Sequence, residues 1–467
     1  MEILDTLVSR EIATINALPQ QQVAHQWRLL IKANGVEIEP FYIKEIKLDR
    51  LYHKNYGDEL RITVGLNWAD MQYNILPYRD ALEATLIKIP MHTAVEPVQN
   101  KAKATSSNRY KVQLLNGNSS AIQGDHPLTL NKELAGRVSI VDVTMQLFNP
   151  VIDRIRKSSF GTTFRKTSPV DAIAFILVKS GRGEGMDTAN AVKGINIDPT
   201  FVSTPREHIP VSEKLLITEI PAYIDNIVGG IHPAQMRYYL QSQFWYLYPI
   251  FDNQRFNQNI YSLTVIKIPS TRMPGLEKTW RASGNQIIVL STRATTHQDN
   301  SESAQMNGGN GVRFADARNI VENYVTAGAN KAVISAKKHI VEVVNGYRKD
   351  ESDFIKAPSS TLITDKYNKE YAKMAHKSGA YIQTVWENAN VDLLFPGMPV
   401  RYIFQDGEKT EEIYGTLNAV ETLDYNTNNT TKEARFTTMA LLTLFVSRVS
   451  PLRKETTEPT VTTTKST

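Results

Sequence analysis

Apolar residues Ile3, Leu4, Leu7, Val8, Ile12 and Ile15 fall near one face of a helical period, which predicts a short amphipathic helix over residues 2–18, ending before Pro19. From Trp27 the period changes to that of strands. Asn34-Gly35 stands between Leu29-Leu30-Ile31 and Val36-Glu37-Ile38, and both turn residues tolerate positive φ, so a tight hairpin is expected there. Leu60, Ile62, Val64 and Leu66 alternate with Arg61, Thr63 and Gly65, as a half-buried strand does. Further strands are expected at 71–76, at 82–89 after the turn Pro77-Tyr78-Arg79-Asp80, at 110–115 and at 138–148. Many short strands divided by turn signals favour a barrel or a sandwich.

The pattern shifts near Phe160. Ser168 followed by Pro169 and Asp171 supplies a cap, a first-turn proline and an early acid, the signature of a helix start. A second helix is expected over 212–228, with Pro221 inside it or dividing it and Gly229-Gly230 ending it. Strands return at 236–250, 261–268 and 286–291. Residues 295–311 are Thr, Asn, Ser, Gln and Gly with little to bury, and read as an exposed loop. A helical stretch is expected over 312–344, where Ala317, Val321, Tyr324 and Val325 offer an apolar face. Strands at 399–404 and 413–420 flank an Asp406-Gly407 turn, and Phe436, Thr438, Ala440, Leu442, Leu444 and Val446 alternate along a long last strand. The Thr-rich tail from Pro451 is expected to be disordered or draped over a partner.

The expected class is therefore β-rich α+β and multi-domain: two similar β-barrel domains with an inserted mixed α/β domain and a helical segment. The expected limits are a first barrel with the N-terminal helix at 1–159, the insert at 160–290, a loop and helical segment at 291–380, a second barrel at 381–450 completed by strands from 260–290, and a flexible tail at 451–467. Layout suggests a duplication of the barrels, but no aligned repeat connects them.

Composition narrows the function. The balance of 41% hydrophobic and 22% charged residues is that of a soluble globular chain, and 467 residues suffice for two to four cores. The net charge of +5 is dispersed, and runs such as Lys101-Ala102-Lys103 and Lys337-Lys338 read as solvated surface, so no specific nucleic-acid binding is expected. The absence of cysteine removes disulfides, thiolate metal sites and cysteine nucleophiles. No basic-then-apolar leader and no membrane-spanning run is present, so folding in the cytoplasm of the producing cell is expected.

Candidate chemistry is sparse. Gly181-Arg182-Gly183-Glu184-Gly185 lacks the lysine of a phosphate loop, and Glu184 would repel phosphate, so a connector is the better reading. His25, His53, His92 and His126 show no metal-ligand spacing, and Gly-x-Ser-x-Gly is absent. The acid pairs Glu411-Glu412 and Asp350-Glu351 sit beside turns, where solvent keeps carboxylates ordinary. No catalytic, cofactor or metal residue is assigned, and the chain is not expected to be an enzyme. The densest feature is aromatic: Tyr238-Tyr239, Phe244-Trp245-Tyr246-Leu247-Tyr248-Pro249, Phe251 and Phe256, flanked only by Arg237 and Arg255. A packed hairpin is favoured over a base-stacking platform, with an interface next.

The same region carries a resemblance. Ile220-Pro221-Ala222-Tyr223-Ile224-Asp225-Asn226-Ile227-Val228-Gly229-Gly230-Ile231, the aromatic strand Phe244 to Pro249, Arg255-Phe256 and Ile268-Pro269-Ser270-Thr271-Arg272-Met273-Pro274-Gly275 resemble the central hub proteins of contractile phage baseplates. Phe395-Pro396-Gly397-Met398-Pro399-Val400-Arg401-Tyr402 and the strand with Gly415-Thr416-Leu417 are similar to their C-terminal barrel. The resemblance implies two similar barrels with extra mixed domains and a homotrimer setting six barrels in a ring. It also implies a structural virion role that joins the six-fold tail tube ring to a three-fold central spike, with baseplate wedge proteins and the tape-measure protein as further partners. It carries over no catalytic residue. The alternatives are another tail or baseplate component, such as a wedge or tube-terminating protein, and a tail-associated cell-wall hydrolase.

Overall fold

The computed structural model describes residues 2–17, 25–90, 106–115, 140–182, 190–201, 204–232, 234–252, 255–258, 261–269, 279–297, 311–315, 324–327, 332–335, 340–344, 379–406, 409–426 and 435–447. In chain order its elements are α1 (Glu2–Ala17), β1 (His25–Ala33), β2 (Val36–Ile38), β3 (Tyr42–Leu51), β4 (Glu59–Asn67), β5 (Glu83–Pro90), β6 (Ser106–Leu114), β7 (Ile140–Phe148) and α2 (Pro150–Ile155). There follow β8 (Thr162–Thr167), α3 (Pro169–Ser180), β9 (Gly194–Ile197), β10 (Arg206–Val211), α4 (Ile220–Ile227), β11 (Met236–Gln241), β12 (Phe244–Pro249), β13 (Ser262–Lys267), β14 (Trp280–Ser283), β15 (Gln286–Ser291) and β16 (Ala294–His297). The last are β17 (Gly311–Ala315), β18 (Tyr324–Ala327), β19 (Ala332–Ser335), β20 (Ile340–Val344), β21 (Gly379–Trp386), β22 (Pro399–Asp406), β23 (Lys409–Asn426) and β24 (Phe436–Ser447). The fold is β-rich α+β and multi-domain.

An antiparallel ring of eight strands runs β3-β4-β7-β6-β5-β1-β24-β23 and back to β3. Asn34 and Gly35, at φ 47° and 82°, make the β1–β2 turn as their sequence requires. Across β4 and β7 the directly opposed pairs Leu60–Leu147, Ile62–Met145 and Val64–Val143 all face inward, because paired residues share a face. The ring closes between β1 and β24 at a single backbone pair, His25 with Phe436.

The second barrel runs β15-β13-β22-β23-β24-β21, with β14 added beside β15 and β16 beside β21. β13 lies parallel to both β15 and β22. The seam between β15 and β21 is sealed by side chains: Thr384 Oγ1 donates to Ser291 Oγ at 2.7 Å and Ser291 Oγ to the Val385 carbonyl at 2.8 Å. Trp280 and Trp386 meet edge to face inside it, 5.5 Å between centroids.

Both barrels are built on the same ribbon. One half of β23 pairs with β22 and the other with β3, and β24 follows it from β21 to β1. A bulge between Leu417 and Ala419 marks the crossing from one barrel to the other. The insert contains α2, the β8–β10 pair, the sheet β9-β12-β11, α3 and α4 around its own core.

Four expectations are corrected. Residues 71–76 are helical turns, a π-type turn at Met71–Ile75 and a 3-10 turn at Leu76–Tyr78. Met71 and Ile75, four apart, both reach the core, and Asn67 caps the segment through Ala69 N–H. The helix expected over 212–228 begins only at Ile220, because Pro221 fits the first turn, where its missing N–H costs nothing. In the segment expected to be helical at 312–344 the described residues are strands, β17 paired antiparallel with β20 and β18 with β19. Runs such as Ile340-Val341-Glu342-Val343-Val344 are β-branched, and that preference outweighs the helical spacing. Finally, α1, expected with the first barrel, lays its described side chains on the second. Val8, Ile12 and Ile15 cover Ile266, Ile268, Ile288, Leu290 and Ile403 on the outside of the second.

Candidate functional site

The aromatic hairpin β11–β12 is the place where the insert and the barrels meet. Its residues alternate between two cores: Tyr238, Leu240, Trp245 and Leu247 face the insert, while Tyr239 and Tyr248 enter the core of the second barrel. The buried Tyr and Trp tips are each satisfied internally. Tyr238 Oη donates to the Thr218 carbonyl at 2.6 Å, Trp245 Nε1 to the Leu177 carbonyl at 3.1 Å, Tyr239 Oη to Asp58 at 3.0 Å, and Tyr248 Oη to the Tyr52 carbonyl at 2.7 Å. Burial pushes all three phenols well above the ordinary tyrosine range, so they stay protonated and act as hydrogen-bond donors. Tyr238, Tyr239, Trp245 and Tyr248 are structural core, while Phe244 is 40% exposed.

Around the hairpin a set of long-range polar bonds ties three segments together. Arg50, buried at the end of β3, donates to the Val391 carbonyl at 2.8 Å and pairs with Asp58 at 3.3 Å. Tyr52 Oη donates to Gln241 Oε1 at 3.2 Å, and Gln241 Nε2 donates to the Leu394 carbonyl at 2.6 Å. Arg255 reaches both Asp198 in the insert and the Gly397 carbonyl beside β22. Gly397 has φ 68°, and a Cβ there would lie 2.3 Å from the Tyr248 ring, so the contact requires glycine. Such a junction resists hinge motion: charged and neutral bonds from every side would have to break together.

The other candidates are placed as follows. His25 is buried and bonds Asp424 at 3.1 Å, with Trp27 Nε1 donating to the same carboxylate at 2.7 Å, beside the single backbone pair that closes the first barrel. His53 contacts the Asn418 carbonyl at 3.3 Å at the ribbon bulge. Gly181 caps α3, where a Cβ would meet Val192 at 2.2 Å, and Arg182 donates to the Val192 carbonyl at 2.8 Å; this part of the glycine loop is packed as a connector. Glu412 is engaged by Arg401 and by Tyr414 Oη at 3.0 Å. His92, His126, Gly183, Glu184, Gly185, Asp350, Glu351 and the tail from Pro451 lie outside the described residues. Among the described residues no group of three or more His, Cys, Asp or Glu could hold a metal ion, and no helix is long and apolar enough to cross a membrane.

Two arrangements had no linear signal: the Arg255–Asp198 pair and the His25–Asp424 bond both join segments far apart in sequence, and nothing around Asp198 or Asp424 marks either acid as a partner.

No protein-family model and no curated protein matches the sequence. Among solved structures the chain is similar to a tail protein from Neisseria meningitidis, at 10% identity and a TM-score of 0.46, covering 90% of this chain and 96% of that one. It is similar to the 43 kDa tail protein of prophage MuSo2 from Shewanella oneidensis, at 9% identity and a TM-score of 0.47, covering 91% and 98%. A type VI secretion component of E. coli, described as similar to T4 phage tail proteins, aligns at 8% identity and a TM-score of 0.39 over 90% and 77%.

Proposed function

We propose that this chain is a structural component of a phage tail, the central baseplate hub, acting as a homotrimeric ring between the tail tube and the central spike. The observation that carries the reading is the double barrel on one continuous ribbon, β23–β24, locked to an inserted domain through β11–β12. A part that passes mechanical load needs its domains fixed to each other, and the polar junction around Arg50, Gln241 and Arg255 supplies that. The motifs that resemble hub proteins, from Ile220 to Ile231 and from Phe244 to Pro249, form α4 and β12 beside this junction.

The role is mechanical. Three copies place six barrels around a bore, with tube and spike on opposite faces and wedge and tape-measure proteins as further contacts. The site of action is the virion tail. The test is co-expression with the tube and spike proteins encoded nearby, followed by native mass spectrometry and electron microscopy. A trimer bridging both partners with a three-fold ring is expected. A chain that binds neither, or that purifies as a hexamer, sinks the reading in favour of a wedge or tube-terminating component.

A further inference from the structure

The N-terminal helix is joined to one barrel and lies on the other. α1 leads into β1, a strand of the first barrel, yet Val8, Ile12 and Ile15 cover Ile266, Ile268, Ile288, Leu290 and Ile403 of the second. These apolar residues form a trough on the outside of β13, β15 and β22, whose alternate residues, among them Val265, Val289 and Tyr402, face the barrel core. Strands paired in parallel are commonly apolar on both faces and need a cover on each, and here the outer cover is a helix. The fit is specific: apolar residues at i, i+4 and i+7 meet the trough, and the buried Glu11 between them is held by Arg281 of β14 at 2.8 Å.

The register puts the trough and the start of β1 at opposite ends of the molecule. Ile266 pairs with Ile403, and Ile403 with Glu412 near the beginning of β23. His25 pairs with Phe436, and Phe436 with Asn426 at the end of β23. Glu412 and Asn426 are fourteen residues apart on that strand, roughly 45 Å at the usual rise. Seven residues, 18–24, join Ala17 to His25, and a chain of that length reaches roughly 26–29 Å at full extension. A tether within one chain has to make up the difference from the curvature of the ribbon. The trough also faces away from the chain's own first barrel, because β15 and β13 stand opposite β23 and β24 in the second barrel, three strands away in either direction.

We propose that α1 is exchanged between copies, the helix of one chain filling the trough on the second barrel of the next. This rests on the ring reading above and supplies its contact. In a ring of alternating barrels each second barrel meets its own first barrel through the ribbon and the next copy's first barrel on the far side, where the trough lies. The ribbon end that carries His25 is the end of the first barrel turned away from its own second barrel, so it points at a neighbour's trough. A cyclic trimer is built from one heterologous contact between two different, complementary surfaces. α1 and the trough are such a pair: an apolar helix face against an apolar sheet face, and one carboxylate against one guanidinium. Exchange keeps every one of these contacts and relieves the tether of the length of the ribbon.

The chain has no cysteine, so a full-length variant carrying Glu11→Cys and Arg281→Cys has only those two thiols. Removing both charges together leaves neither one buried without its partner. Treated with a short bismaleimide and run on a denaturing gel, this variant is expected to give covalent dimers and trimers, while either single variant runs as one subunit. Bridging confined within single subunits, or no bridging at all, overturns the exchange. The second measurement reverses the charges one at a time. Glu11→Arg and Arg281→Glu are each expected to weaken the trimer at least about 30-fold in sedimentation. Mixing the two singly altered chains is expected to restore association between unlike chains, because both contacts between them again pair opposite charges; a mixture no better associated than its components overturns the exchange. A wild type that is monomeric with and without tube and spike removes the ring reading itself, whereas a wild-type trimer whose bridges stay within single chains removes only the exchange.

Discussion

Arg255 and Asp198 are an ion pair with almost no access to water, their side chains 6% and 1% exposed. Burial alone would drive the arginine toward losing its proton and lowers its pKa, with Asp198 opposing that shift. Breaking one half of such a pair leaves an uncompensated charge, so Arg255→Met is expected to cost ~3–5 kcal/mol in urea unfolding. Removing both charges with Arg255→Met and Asp198→Leu is expected to recover most of the loss; a double variant as unstable as the single one would show that the Gly397 carbonyl bond, and not the pair, carries the energy. His232 stands near the same charges. Burial holds its pKa below the usual 6.5, its Nδ1 accepts from Ala234 N–H at 3.0 Å, and its ring meets Phe201 edge-on. In the unfolded chain this histidine takes up a proton at higher pH than in the folded one. Its share of stability is therefore full above about pH 6.5 and is lost as pH falls through the depressed folded value. Melting temperature is expected to fall as pH is lowered from 7 toward 5, and His232→Asn, which keeps an acceptor for Ala234, is expected to reduce that slope; an unchanged slope assigns it to other groups.

At the scale of elements, the close approach of β23 and β24 is set by Gly415. A Cβ there would lie 1.8 Å from the Phe445 carbonyl oxygen, so no side chain fits without parting the ribbon. Gly415→Ala is expected to cost at least ~3 kcal/mol, while Gly284→Ala, in open space at φ 57°, is expected to cost about 1 kcal/mol; similar melting points for the two would refute the packing argument. What could be read from the sequence at this scale was local. The Asn34-Gly35 turn, the Ser168 cap over Asp171 N–H at 3.0 Å and the alternation in β4 and β24 each need only neighbouring residues to act. What could not be read depends on distant partners. The parallel placement of β13 between β15 and β22 and the docking of α1 on the second barrel have no local determinant. The candidate site divides the same way: the aromatic density of β11–β12 marks a core, but only the folded chain shows that its two faces serve two cores.

At the scale of the whole molecule, the ribbon makes the two barrels one cooperative unit. β23 and β24 supply strands to both, so neither barrel closes without them, and damage to the ribbon in one barrel must be felt in the other. Leu442, fully buried in the second barrel, is a suitable probe. Leu442→Ala is expected to cost ~2–5 kcal/mol through lost burial and an unfilled cavity. If the barrels unfold together, amide exchange in β4 and β7 of the first barrel, where the Ile62–Met145 pair lies far from the substitution along the ring, speeds up by the same factor as exchange in β13 and β22. If they unfold separately, β4 and β7 keep their protection. A single unit resists force applied to either barrel with the stability of both, and does not yield at its weaker half.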